Sequence, residues 1–107
     1  MTVAYHTYAI DAETLQDAQL IVEGCLGVAL FPRSGGYRGG DYLMSEKGGS
    51  EELILQRNFI PFDGDWMESQ HQDFAFLLYV NETTRSDEVL RRLVHADVEL
   101  VRSRLFH

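Results

Sequence analysis

Apolar and polar positions follow two rhythms along the 107 residues of this chain, and each change of rhythm marks a new element. Val3, Tyr5, Thr7 and Tyr8 through Ile10 form a β-branched and aromatic run interrupted by His6, which predicts a first strand of about seven or eight residues. Asp11 then offers an N-cap oxygen, and Leu15, Ala18, Val22, Cys25 and Leu26 recur at helical spacing, with Gly24 or Gly27 ending the helix. Asp11, Glu13 and Asp17 complement the positive start of that helix. Val28 to Phe31 predicts a short edge strand or extended segment limited by Pro32, followed by an irregular loop at glycines 35, 36, 39 and 40.

The middle of the chain changes to strand rhythm. Tyr42 to Glu46 and Glu52 to Phe59 flank KGGS, a hairpin signal because glycine tolerates positive φ at the turn. The run FAFLLYV is continuously apolar, as expected of a central strand buried on both faces. Thr84 or Ser86 caps a second helix striped by Val89, Leu90, Leu93 and Val94, and His95 falls near its C-terminus. VELVRSRLF predicts a closing strand with Arg102 and Arg104 facing water. These elements make one α+β domain over residues 1–107: a mainly antiparallel sheet of about five strands with two helices on one face. The order resembles a ferredoxin-like sandwich with an extra hairpin strand between its halves.

Composition supports a folded chain, since 45% of the residues are hydrophobic and only two are proline. Nine basic against seventeen acidic residues leave a formal charge of -8, which disfavours nucleic acid and anionic membrane surfaces and suits a basic partner. The imbalance is local. From Thr83 onward five arginines face four acids, whereas the rest of the chain holds four bases and thirteen acids. Cys25 is the single cysteine, so an intrachain disulfide is excluded, and a small core residue in a reducing compartment is expected. The start MTVAYHTYAI lacks a secretory pattern and no run approaches a membrane span, so a cytoplasmic location is expected.

Catalytic and cofactor signatures are missing from the sequence. SGGYRGGD is neither a Walker loop nor a dinucleotide fingerprint, and one RGG triplet falls short of a repeated RNA-binding segment, leaving Tyr37 and Arg38 as candidate partner contacts on a flexible loop. His6, His71, His95 and His107 make no metal-ligand motif, and no serine sits in a nucleophile elbow. Asp63, Asp65, Glu68 and His71 resemble a fragment of a calcium loop without its third oxygen position and distal glutamate. The expectation is therefore no enzyme, no metal and no cofactor.

The acidic segment PFDGDWMESQHQD is the most informative. Asp63, Asp65, Glu68 and Asp73 have no basic residue among them, and Phe62, Trp66 and Met67 stand in their midst. Aromatic anchors among carboxylates suit a surface that docks a basic protein, with burial supplying affinity and charge supplying rate. The plainer alternative is a lid in which Phe62 and Trp66 fold back over the sheet. Candidate partner-binding residues are Asp63, Asp65, Trp66 and Glu68, with Tyr37, Glu13 and Asp17 as secondary positions.

The small size, acidic charge and stretches YRGGDYLM, EELILQRNF and FAFLLYVNET resemble the immunity proteins of bacterial polymorphic-toxin and contact-dependent inhibition systems. That resemblance implies stoichiometric inhibition, in which an acidic surface covers the active site of a basic toxin domain, often a nuclease. A second hypothesis is a small-molecule-binding or enzymatic α+β domain, dimeric through a sheet face, with a pocket lined by Tyr37, Tyr42 and His6. A third is a structural subunit of a larger assembly.

Overall fold

The computed structural model describes residues 2–38, 40–46, 49–61, 63–94 and 97–106, and of Tyr37 the backbone only. Its elements in chain order are β1 (Val3–Ile10), α1 (Leu15–Leu26), β2 (Leu30–Gly35), β3 (Gly40–Ser45), β4 (Glu52–Arg57), β5 (Phe59–Ile60), β6 (Asp65–Trp66), β7 (Phe76–Thr83), α2 (Ser86–Leu93) and β8 (Val98–Phe106). Single 3-10 turns lie at Gly36–Arg38 and Ser69–His71. The expected α+β layout with a largely antiparallel sheet is present. The main sheet has six strands rather than about five, in the order β2-β3-β4-β7-β1-β8, and β5 and β6 form a separate pair.

The edge strand expected near Val28 to Phe31 is present as β2 and is longer than expected. Proline was expected to cut the edge strand short, yet β2 runs through it to Gly35, pairing Pro32 with Leu43 and Gly35 with Gly40. An edge strand accepts proline because only one side of its backbone must pair. The glycine loop is thereby reduced to a 3-10 turn between two paired strands. The proposed KGGS turn falls partly on Lys47 and Gly48, outside the described residues.

The helix starts also differ from expectation. Thr14, not Asp11, caps α1: its Oγ1 accepts the Asp17 N–H at 3.0 Å. The backbone N–H of Asp11 instead donates to the Asp97 carbonyl at 2.8 Å, extending the sheet. Gly27 ends the helix at φ 65, a left-handed conformation that glycine adopts without strain. At α2 neither Thr84 nor Ser86 caps; Arg85 holds the N-cap position without a side-chain bond, and the Thr83 hydroxyl accepts the Arg85 N–H at 3.1 Å.

Cross-strand pairing sorts the sheet into two faces. On one, Leu43, Leu55, Leu78, Tyr8 and Leu100 form a row from β3 to β8, and α1 and α2 bury Ala18, Val22, Leu26, Val89 and Leu93 against the same core. The second face carries the row Phe31, Met44, Ile54, Tyr79, Thr7 and Arg102. Leu77, Leu78 and Val80 of β7 are fully buried, as the unbroken apolar run predicts for a strand covered on both sides. The second face is covered in part by the connection between β4 and β7. Asn58 anchors that connection, and Arg102, beside Thr7, pairs with its Glu68.

Candidate partner-binding end of the sheet

Antiparallel order brings separate sequence segments to one end of the sheet. β1, β2 and β4 finish there, whereas β3, β7 and β8 begin there. Asp11, Glu13 and the first turn of α1 with Asp17 follow β1 directly. Asp41 opens β3, the connection holding Asp63, Asp65 and Asp73 joins β4 to β7, and Asp97 precedes β8. The sequence-predicted residues Glu13, Asp17, Tyr37, Asp63, Asp65 and Trp66 thus belong to one end of the molecule, although up to 53 positions separate them in the chain.

The connection is more ordered than its composition suggests. β5 and β6 pair Phe59 with Trp66 and Ile60 with Asp65, closed by Gly64 at φ 66, whose N–H donates to the Ile60 carbonyl at 2.9 Å. The Asp-Gly pair at 63 and 64 is a hairpin signal that would have revealed this turn. Beneath it, Asn58 is fully buried and serves as the organising residue. Its Nδ2 donates to the carbonyls of His71 and Phe74, each at 3.0 Å, and its Oδ1 accepts the Glu68 N–H at 2.9 Å. A lone asparagine at a strand end gives no sequence sign of this role, because its partners lie 10 to 16 residues downstream.

Trp66 is half-buried, with its ring centroid 5.2 Å from that of Phe59. Together with Arg57, Pro61, Ala75 and Phe76 they line an apolar cleft of about 220 Å³. Phe59 and Met67 are exposed; Phe62 lies outside the described residues. The connection thus has a buried side, at Ile60 and Asn58, and an outer side where Phe59 and Met67 are exposed and Trp66 is half-buried.

The carboxylates divide in the same way. Asp63 and Asp65 are exposed and make no ion pair among the described residues; one Asp65 oxygen accepts the Trp66 N–H at 2.8 Å. Glu68 is different. Its side chain is 14% exposed and takes two hydrogen bonds from Arg102, at 3.1 and 3.0 Å, so its counter-charge comes from β8. Glu68 fastens the connection to the sheet. Glu13 and Asp17 are exposed on the helix side of the same end.

Arginines near this end are already engaged. Arg57 donates to the Asp41 carbonyl at 2.8 Å and Arg38 to Gln56 Oε1 at 2.7 Å. In the last turn of α2, Arg92 pairs with Glu88 and Arg91 bonds the Asp87 carbonyl. At the far end Arg85 holds Glu51 at 2.8 Å, which keeps the Glu51 carboxyl below its usual range. Asp63 and Asp65 thus stay exposed and outside any ion pair among the described residues, which favours a positive ligand there, while Arg57, bonded to a neutral carbonyl, keeps its charge beside the cleft.

Other chemistry is weakly supported by geometry. His6 Nδ1 lies 3.2 Å from the Tyr8 hydroxyl inside the core. Burial lowers the His6 pKa, against an opposing pull from Asp87, and pushes Tyr8 up to about 12. Both are then neutral at pH 7, as a core hydrogen bond requires. None of the described cavities joins Tyr42 to His6, and the side chain of Tyr37 and all of His95 and His107 lie outside the described residues. Among the described residues, no group of three or more His, Cys, Asp or Glu is placed to hold a metal ion, and no helix is long and apolar enough to cross a membrane. No protein-family model, curated protein or solved structure matches the chain.

Proposed function

We propose that this protein is a non-catalytic binding module whose acidic end docks on a basic protein, in the manner of a small immunity protein covering the active site of its toxin. The observation that carries the proposal is the apolar cleft between Phe59 and Trp66 beside exposed, unpaired Asp63 and Asp65. An apolar side chain of the partner enters the cleft while flanking Lys or Arg residues meet the carboxylates. The charges steer the encounter, and burial at Trp66 supplies most of the affinity. Glu13 and Asp17 extend the acidic surface, and Tyr37 contributes from the adjoining turn. Glu68 acts from beneath, holding the loop against Arg102.

The scaffold reading that accompanies this function is ferredoxin-like. Strands β8-β1-β7-β4 with α1 and α2 form the two β-α-β halves, and the β2–β3 hairpin widens the β4 edge. It is supported by the strand order. The functional test is co-purification with the protein encoded beside it, followed by calorimetric titration at rising salt. A one-to-one complex that weakens steeply with ionic strength is expected. A salt-indifferent complex, or none with a basic neighbour, refutes the proposal.

A further inference from the structure

Towards the other end of β1 and β8 lies a second cleft of contrary charge. Tyr5 pairs with Arg104 and Thr7 with Arg102 across β1 and β8, so all four side chains share the second face of the sheet. With Asn81 and Phe106 they line a cavity of about 310 Å³, within the size range of small-ligand clefts. In a chain of formal charge -8, this cavity is lined by two arginines and no acid.

The polar groups around it are unevenly satisfied. Arg102 gives its Nε and Nη2 to Glu68, leaving Nη1 outside that pair. Arg104 is exposed and makes no ion pair among the described residues; its guanidinium lies 5.5 Å from the Phe106 ring centroid. Thr7 is about 95% buried as a residue and lines the cavity, where its hydroxyl can meet a ligand. Two carboxylates lie at the cavity rim: Glu82 accepts the Tyr5 hydroxyl at 3.0 Å, and Glu52 accepts the Asn81 amide at 3.3 Å. Tyr5 and Phe106 meet edge to face with centroids 5.3 Å apart, giving the cavity an aromatic wall.

We infer that this cleft is a binding site for a small organic anion carried on a flat ring. The ring packs against Tyr5 and Phe106, the anionic group meets Arg104 and the free edge of Arg102, and a polar substituent meets the Thr7 hydroxyl. A planar anion fits because arginine forms paired, charge-assisted hydrogen bonds to carboxylates and phosphates. The site shares Arg102 with the Glu68 tether of the acidic end but requires no protein partner.

The test is a titration of the whole protein with 4-hydroxybenzoate, followed by amide shifts in ¹H–¹⁵N spectra, with 4-hydroxybenzamide as the uncharged control. Saturable shifts are expected at Thr7, Asn81, Arg102 and Arg104. The amide should bind at least about tenfold more weakly, and Arg104→Gln should weaken the acid about tenfold, as loss of a charge-assisted contact implies. Thr7→Val is nearly isosteric and should also weaken binding, with the remaining spectrum unchanged as a check on folding. The inference is overturned by no saturable shift for the acid up to about 10 mM, by equal binding of acid and amide, by indifference to Arg104→Gln, or by shifts centred on another face.

Discussion

Replacing Asn58 should do more damage than any other single polar substitution in the loop that forms the acidic end. The side chain is fully buried and makes three hydrogen bonds of 2.9 to 3.0 Å, to Glu68, His71 and Phe74. At about 1 kcal/mol for each bond, Asn58→Ala should cost ~3 kcal/mol, more where a partner stays dry. For a domain of this size that lowers the melting temperature by roughly 12 °C or more. Asn58→Asp separates hydrogen bonding from volume. Its oxygen can still accept from Glu68, but the second oxygen replaces a donor and faces the carbonyls of His71 and Phe74. At pH 7 it should therefore destabilise at least as much as alanine, and recover part of the loss in acid, where a protonated carboxyl donates to one carbonyl. Urea unfolding followed by Trp66 fluorescence and by far-ultraviolet circular dichroism measures both variants. If both stay within about 1 kcal/mol of the parent, the assignment of Asn58 as organiser of the loop is wrong.

Two further stability outcomes follow from other contacts. Glu51→Gln removes the counter-charge of Arg85, and because both side chains are partly exposed the loss should be only about 1 kcal/mol at pH 7. Arg85 holds the folded pKa of Glu51 below 4.5, so its stabilisation is present above that value and disappears as pH falls through the folded pKa; denaturation from pH 7 to 3 should show the gap between parent and variant closing. Gly27→Ala places a side chain at φ 65 where a Cβ meets nothing within 4 Å, so the cost should be backbone strain alone, about 1 kcal/mol in thermal unfolding.

Local chemistry made much of the fold legible. The spacing of Leu15, Ala18, Val22 and Leu26 gives α1, and the FAFLLYV run gives β7, because each sequence period matches one buried surface. What escaped depends on partners distant in sequence. β2 passes Pro32 because β3 pairs with it on one side, a condition absent from the proline itself. Asp11 looks like a helix cap but is drawn into the sheet by Asp97. At the candidate site, the aromatic and acidic content of residues 61–73 was visible, and strand order gathers Asp63, Asp65 and Trp66 with Glu13 and Asp17. Which carboxylates remain unpaired was not visible, since Arg102 reaches Glu68 across 34 positions.

The central claim concerns the place where a basic partner docks, and a charge-matched comparison tests it most directly. Asp65→Lys and Glu46→Lys change net charge equally, at the acidic end and near the far end of β3 respectively, both on exposed side chains. Affinity for the partner should fall at least about tenfold more for Asp65→Lys than for Glu46→Lys, and Trp66→Ala should cost about 30-fold or more, as a buried aromatic anchor does. Equal effects of the two charge reversals, together with unchanged affinity for Trp66→Ala, would place the interface elsewhere on the molecule.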